Sequence, residues 1–214
     1  MPPKNLQIGV MLEAVQLSDI MGIDILGSLS KSYVQASLAF GAIPPSFVDR
    51  AHEMTFHYIA STLDATTVTP SLTFVPTTTY QDCPRDLDIL LVGGPLPTHR
   101  PTAADRLLKE VADSGVTTIM SVCTGGMWLA DAGVLAGKKA TANRGVLEIC
   151  RQMHPEVEWQ DARWVVDGKF WTAGGAGCGV DMVVEYVKGN FDKGLVEYAL
   201  DGLQLGSGKG RFYD

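Results

Sequence analysis

Cys123 has the sequence surroundings of a nucleophile. It follows the β-branched run 116–122 and precedes Thr124, Gly125 and Gly126, which open an amphipathic stretch. This pattern predicts a tight turn from a strand into a helix, whose N-terminal partial positive charge would favour thiolate over thiol. The competing interpretation is a small buried apolar side chain, because that is the role of most free cysteines.

A pair of glycines, Gly93 and Gly94, ends the continuous apolar run LDILLVGG, which is typical of a central parallel strand. In open α/β sheets ligands bind beyond the carboxyl ends of the strands, so we expect this turn and the cysteine turn at one site. Glycine leaves backbone N–H groups accessible. An N–H group from the Gly93-Gly94 turn and those after Cys123 would then form an oxyanion hole.

Short apolar runs alternate with amphipathic stretches along the chain, which predicts crossover units and a mainly parallel sheet flanked by helices. Predicted strands cover residues 6–12, 55–62, 71–76, 87–94, 116–122 and 138–142, and a hairpin over 157–175 turns at 167–168. Predicted helices cover 22–40, 102–115, 125–137 and 145–155, with two more before the C-terminus. We therefore expect one α/β domain over residues 1–214, with 206–214 as a loose tail.

Composition argues against several classes of partner. Seventeen Lys and Arg residues against twenty-four Asp and Glu give a net charge of −7, without the basic stripe that nucleic-acid binding requires. The sequence shows neither a signal peptide nor an apolar segment long enough to cross a bilayer, so we expect a cytoplasmic protein.

The four cysteines, Cys83, Cys123, Cys150 and Cys178, lack zinc or disulfide spacing and are expected to be free thiols. No metal site is expected, since His52 and His57 have no third ligand.

Three segments, DILLVGG, SVCTGGMWLADAGVLAGKKATA and VVDGKFWTAGGAGCGVDM, resemble the ThiJ/PfpI superfamily, the cysteine-containing relatives of class I glutamine amidotransferases. The CTG form of the turn and the segment VQLSDIMGIDIL most resemble the isocyanide hydratase branch. The resemblance implies a flavodoxin-like α/β sandwich, usually dimeric, with Cys123 in a strained backbone conformation. Residues 41–56 form a longer stretch than the family usually has, which suggests a lid or an interface.

The same resemblance implies a set of roles. An acidic residue from the first loop, here Asp19, approaches the sulfur and transfers protons, while Thr124 supports the site. Cys123 would attack an isocyanide carbon to give a thioimidate, and water would release an N-formamide without any cofactor. The alternative for Asp19 is a helix N-cap, since Asp is a preferred cap residue.

Two departures from the superfamily narrow the function. Asn143 stands where many members have a histidine. Because an amide cannot exchange a proton near pH 7, this residue weakens the hypothesis that the protein is a protease or an amidase. Asn143 would either orient a substrate carbonyl or bond to backbone. Thr124 stands where the chaperone-like glyoxalases have histidine, which weakens that reading too. His99, Cys178 and Trp128 are further candidates for the rim or wall of the site, each with a structural alternative.

These observations predict a cofactor-independent cysteine enzyme of the isocyanide-hydratase type, a lyase acting on a small molecule, in a homodimer. One rival is another reaction on the same scaffold, such as 2-oxoaldehyde hydration or a tailoring step in secondary metabolism. The other is a redox-sensing or oxidative-stress protein that works through oxidation of Cys123. A regulator with an attached DNA-binding module is not expected, because the length leaves no room for a helix-turn-helix domain.

Overall fold

The computed structural model describes residues 4–41, 43–115 and 117–205, so the predicted tail at 206–214 lies outside the described residues. These residues fall into two compact units. One is drawn from residues 4–6, 21–41, 43–55 and 180–205, and the other from residues 7–20, 56–115 and 117–179. In the described part of the chain, no helix is both long and apolar enough to cross a membrane.

The described strands, in chain order, are β1 (Asn5–Met11), β2 (Glu53–Ala60), β3 (Thr66–Val68), β4 (Leu72–Phe74), β5 (Thr78–Thr79), β6 (Ile89–Val92), β7 (Thr118–Val122), β8 (Lys139–Ala140), β9 (Glu158–Trp159), β10 (Trp164–Asp167) and β11 (Phe170–Ala173). The described α-helices are α1 (Gly22–Ser28), α2 (Lys31–Ala39), α3 (Thr102–Asp113), α4 (Gly125–Asp131), α5 (Leu147–Met153), α6 (Ala176–Asn190) and α7 (Lys193–Gly202). Short 3-10 turns cover Leu17–Ile20 and Pro45–Phe47.

The main sheet has seven strands in the order β10-β11-β7-β6-β1-β2-β5. The pairs β1–β6, β6–β7, β7–β11 and β2–β5 are parallel, whereas β10 and β11 form an antiparallel hairpin. In register, Met11 lies opposite Val92, Val92 opposite Ser121, and Val122 opposite Ala173. The carboxyl ends of β1, β6, β7 and β11 therefore meet at one edge, and the loops that leave them are neighbours. This confirms the predicted mainly parallel sheet.

The core of the larger unit is formed by the buried faces of these strands and of the helices that cover them. Its largest fully buried side chains include Trp128, Tyr80, Met11 and Leu90. Burying one such apolar side chain stabilises the fold by about 1.5–3 kcal/mol, so this packing holds the sheet and its edge loops in fixed positions.

Two predicted helices are shorter than the periodicity indicated. Residues 22–40 form two helices, because Ser30 is extended and its hydroxyl accepts the N–H of Tyr33, which starts α2 as a new helix. The helix predicted over 125–137 ends at Asp131, since Gly133 and Gly137 take positive φ angles. The hairpin predicted over 157–175 begins only at Trp164, because β9 pairs instead with β8.

The smaller unit contains α1, α2, α7 and most of α6. Its buried side chains include Ile25, Leu26, Val34 and Leu200. Residues 43–52, part of the stretch predicted as a lid or interface, contain the 3-10 turn Pro45–Phe47, and residues 53–56 belong to β2. The role of this stretch stays a prediction.

Candidate active site

Cys123 occupies the turn between β7 and α4 with a φ angle of 61°. Positive φ is unfavourable for a residue with a side chain, and such strain persists only when the surroundings enforce it. Here the Cys123 N–H donates to the Ala173 carbonyl over 2.9 Å, and its own carbonyl accepts the Asn143 N–H over 3.1 Å. The strained backbone conformation of Cys123 implied by the family resemblance is therefore confirmed.

The glycines after Cys123 are required by packing. A Cβ on Gly125 would lie 2.6 Å from the Val92 carbonyl oxygen, and a Cβ on Gly126 would collide with the Thr141 carbonyl oxygen. Both glycines thus let α4 begin directly against the strand ends. This explanation differs from the predicted one, in which they open backbone N–H groups to substrate.

Asp19 reaches the site from the 3-10 turn Leu17–Ile20 and is only 2% exposed. Its Oδ2 accepts the Gly94 N–H over 3.1 Å. In this structure Asp19 is the acceptor of this N–H, and the oxyanion role of the Gly93-Gly94 turn stays a prediction. The alternative of Asp19 as a helix cap is also wrong, since Met21 occupies the cap position of α1, without a side-chain cap hydrogen bond.

Gly94 lies in close contact with Asp19 and Thr124. A Cβ there would lie 2.7 Å from Thr124 Oγ1 and 2.8 Å from Asp19 Oδ2. At the neighbouring Gly93 a Cβ would lie 3.0 Å from the Val15 side chain. These glycines are thus required by close packing.

Burial raises the pKa of Asp19 to about 6, against the opposing effects of the Gly94 N–H and the Cys123 side chain. The carboxyl and the thiol interact, although Oδ1 has no hydrogen-bond partner of ordinary geometry among the described residues. A carboxyl group with a pKa near 6 can accept and return a proton close to neutral pH. Asp19 therefore has the properties of a general acid–base group.

Burial also raises the pKa of the Cys123 thiol, and the negative charge of Asp19 raises it further. Donation from Asn143 and from Thr124 opposes both effects. Burial and the charge of Asp19 thus oppose the thiolate that the helix terminus is expected to favour. Because the two groups interact, they titrate as a coupled pair.

The Asn143 side chain and the Thr124 backbone N–H donate to the sulfur of Cys123. The Asn143 amide nitrogen Nδ2 lies 3.2 Å from Sγ as a donor, while its Oδ1 accepts the Gly145 N–H over 2.9 Å. The second bond fixes the orientation of the amide, so the donor faces the sulfur. The Thr124 hydroxyl donates to the Pro95 carbonyl over 2.7 Å. Asn143 thus bonds to backbone, one of the two alternatives expected for it, and also donates to Sγ of Cys123.

The remaining candidates, Trp128, His99 and Cys178, have other surroundings in the structure. Trp128 is fully buried and donates to Asp105 Oδ1 over 3.1 Å, so it packs in the core and does not line a pocket. His99 packs its edge on Trp128 and lies beside Glu13. Cys178 is half-buried near the start of α6, in a pocket of about 490 Å³ that Cys123 does not line. Within the described residues no group of three His, Cys, Asp or Glu side chains could hold a metal ion.

Comparison with known proteins identifies the family of this chain. The model of the DJ-1/PfpI family matches residues 42–189 of the sequence. The chain belongs to the DJ-1/PfpI family. An isonitrile hydratase from Pseudomonas putida is 33% identical over 133 residues, which cover 60% of this chain and 56% of that protein. The match thus spans little more than half of the relative's length.

Solved structures of this family share the fold. A ThiJ/PfpI family protein from Pseudomonas syringae superposes with a TM-score of 0.72 at 25% identity, covering 96% of this chain and 77% of that one. An AraC family transcriptional regulator from Pseudomonas putida superposes with a TM-score of 0.73 at 20% identity, covering 94% of this chain and 100% of that one. At that identity the second likeness shows the fold alone. The flavodoxin-like α/β fold expected from the sequence is confirmed.

Proposed function

We propose that this DJ-1/PfpI protein is a cofactor-independent lyase that hydrates an isocyanide to an N-formamide. The observation that carries the proposal is the pair formed by the buried Asp19 carboxyl and the Cys123 thiol. Similarity to an isonitrile hydratase supports the choice of substrate. A small-molecule substrate and a homodimer are part of the same proposal.

The first half of the reaction consumes the thiol proton. Ionised Asp19 accepts that proton as Sγ attacks the terminal carbon of the isocyanide, and the new S–C bond forms with the carbon lone pair still unprotonated. Asp19 then gives the proton to this carbon. The product is a neutral thioimidate, S–CH=N–R, and Asp19 is again ionised. A pKa of about 6 suits both transfers, because neither the acid nor the base form is strongly favoured near neutral pH.

The second half consumes one water molecule. Asp19 removes a proton from the water as its oxygen attacks the thioimidate carbon, and Asp19 then gives this proton to the nitrogen. Collapse of the tetrahedral adduct breaks the C–S bond and releases R–NH–CHO, and the hydroxyl proton of the adduct passes through Asp19 to the departing thiolate. The donors that face Sγ, from Asn143 and Thr124, stabilise the sulfur as it leaves with its electron pair.

Turnover of a substrate panel tests this function. The purified protein is incubated with alkyl and aryl isocyanides, and the N-formamide is measured by liquid chromatography and mass spectrometry. A 2-oxoaldehyde is included in the panel to test the alternative reaction, 2-oxoaldehyde hydration on the same scaffold. We expect formamide from the wild type and a loss of at least about a thousandfold in Cys123→Ala, since removing a covalent nucleophile has effects of this order. Cys150→Ala, which removes a buried thiol in α5, is the matched control and should retain activity.

Three outcomes of the substrate panel would each contradict a part of the proposal. Formamide formation that survives Cys123→Ala would contradict the mechanism. Turnover of the 2-oxoaldehyde alone would reject isocyanide as the substrate while retaining the cysteine. Absence of turnover with every isocyanide would reject the proposed activity.

A further inference from the structure

A second polar cluster lies at the same edge of the sheet. Glu13 follows β1, and its side chain is 17% exposed. Its Oε2 accepts the backbone N–H of Ser61 over 3.0 Å and the Ser61 hydroxyl over 2.7 Å. The same oxygen lies 3.4 Å from Nε2 of His99, and Tyr80 interacts with the same carboxylate. Glu13 therefore joins residues that follow β1, β2, β5 and β6.

Two buried donors of this cluster depend on Glu13. His99 Nε2 and the Tyr80 hydroxyl have no hydrogen-bond partner of ordinary geometry within the described residues, yet both are near the Glu13 carboxylate. Burial, and then the charge of Glu13, raise the pKa of Tyr80 well above its usual value, so the phenol stays a donor. Because a buried polar group without a partner is unfavourable, the cluster is held together by this carboxylate.

The cluster joins the two loops that form the acid–base half of the active site. The loop after β1 carries Glu13 and Asp19, and the loop after β6 carries Gly94 and His99. One direct link between these loops is the Gly94 N–H bond to Asp19, and another is the contact of Glu13 with His99.

His99 extends the connection to the nucleophile. Its ring packs edge-on against Trp128, with 6.0 Å between the centroids, and Trp128 lies in the first turns of α4, just after Cys123. A chain of packed groups thus runs from the end of β1, through Glu13 and His99, to the helix that starts at the nucleophile turn.

We propose that Glu13 is a positioning residue, which acts through His99 to set the separation of the Asp19 carboxyl from Sγ of Cys123. Its effect on turnover rests on the proposed function. Its effect on the thiol does not, because Asp19 raises the pKa of Cys123 whatever the substrate is. Loosening the two loops should separate Asp19 from Sγ and make Cys123 more acidic.

The test compares Glu13→Gln, His99→Leu and His99→Gln. Site-resolved iodoacetamide alkylation of Cys123 across pH is measured by peptide mass spectrometry, together with kcat and KM for an isocyanide. Glu13→Gln and His99→Leu should move the alkylation midpoint to lower pH and lower kcat by about tenfold, with KM nearly unchanged, because misplacement of a proton-transfer group affects chemistry more than binding. His99→Gln keeps a donor near Glu13 and should restore much of both properties. His57→Leu, which removes a histidine bonded to Gln7 in the same sheet, is the matched control.

His99→Leu makes the result decisive, because it leaves the charge of Glu13 in place. Removal of the His99 side chain with the carboxylate kept cannot by electrostatics lower the pKa of Cys123, so a shift of the midpoint to lower pH reports a change in geometry. Wild-type midpoints and kcat in a folded His99→Leu protein would overturn the proposal, even if Glu13→Gln failed to fold. A midpoint shift without isocyanide turnover in the wild type would reject the proposed function and leave the positioning role supported.

Discussion

The side-chain amide of Asn143 donates to Sγ of Cys123 over 3.2 Å, at a position where many relatives are expected to have histidine. An amide donates a hydrogen bond without exchanging a proton, so the proposed mechanism assigns proton transfer to Asp19. In that mechanism two residues have two tasks: Asn143 stabilises charge on sulfur, and Asp19 moves the proton.

This division predicts the effect of Asn143→Ala. Loss of the donor should raise the pKa of Cys123 further and slow formamide formation by roughly tenfold or more, in line with loss of one donor that stabilises developing charge. Asn190→Ala, which removes an exposed amide bonded to the Tyr186 carbonyl, should leave the rate unchanged. Equal rates for Asn143→Ala and wild type would remove Asn143 from the mechanism.

The pH dependence of kcat/KM should show an acidic limb near pH 6. Asp19 must be ionised in the free enzyme to accept the thiol proton, and burial raises its pKa to about 6. Below that pH the rate should fall about tenfold per pH unit, and in Asp19→Asn the limb should disappear while the rate falls by about 10²–10⁴. Steady-state kinetics between pH 4.5 and 8 measure both effects. A limb that persists in Asp19→Asn would assign it to another group.

Asp19 should also lower the stability of the protein at neutral pH. Its pKa in the folded protein, about 6, exceeds the ordinary value of 3.8, so between these pH values the folded state binds more protons than the unfolded state. Stability from this group is full below pH 4 and is lost as pH rises to 6, with a total on the order of 3 kcal/mol.

Asp19→Asn removes this loss while keeping a side-chain oxygen for the Gly94 N–H. Urea unfolding should therefore show Asp19→Asn gaining stability over wild type as pH rises from 4 to 7. Asp201→Asn controls for the removal of one exposed carboxylate. A difference between Asp19→Asn and wild type that does not change with pH would contradict the raised pKa.

Gly94→Ala should disrupt the site by steric clash, because the site has no room for a Cβ at this position. Its Cβ would lie 2.8 Å from both Asp19 Oδ2 and the Thr124 backbone nitrogen, so one of the two loops must move. We expect a loss of about 1–3 kcal/mol in stability and at least a tenfold loss of turnover. Gly27→Ala, in α1 with open space around it, should instead stabilise the protein by about 0.5–1 kcal/mol. Turnover by Gly94→Ala at the wild-type rate would show that the loop spacing is unimportant.

Local sequence patterns predicted the parts of the site that depend on strand ends. The apolar runs before Cys123 and Gly93 indicated parallel strands, and parallel strands bring their carboxyl-end turns together. The positive φ of Cys123 was expected only through the family resemblance. Helix ends were less predictable, because Ser30 and Gly133 interrupt patterns whose apolar spacing continues past them.

The electrostatics could not be read from the sequence. The helix terminus after Cys123 suggested a thiolate, whereas burial and the charge of Asp19, more than a hundred positions away in the chain, reverse the direction. The partner of the Gly94 N–H depends on the same approach of distant loops. The sequence patterns did not indicate Glu13, because its contacts also depend on loops that are distant in the chain. A carboxylate that follows a central strand could have marked it as a candidate for the site. Its partners Ser61, Tyr80 and His99 follow three other strands.

The pH dependence of Cys123 alkylation by iodoacetamide, resolved by peptide mass spectrometry in wild type and Asp19→Asn, tests the coupling of the two groups most directly. In the wild type the midpoint should lie above about 8.5, the ordinary value for a free thiol, because burial and Asp19 both raise the pKa. In Asp19→Asn it should move to lower pH, since the repelling charge is gone while the donors remain. Identical profiles in the two proteins, or a wild-type midpoint well below 8.5, would contradict the account.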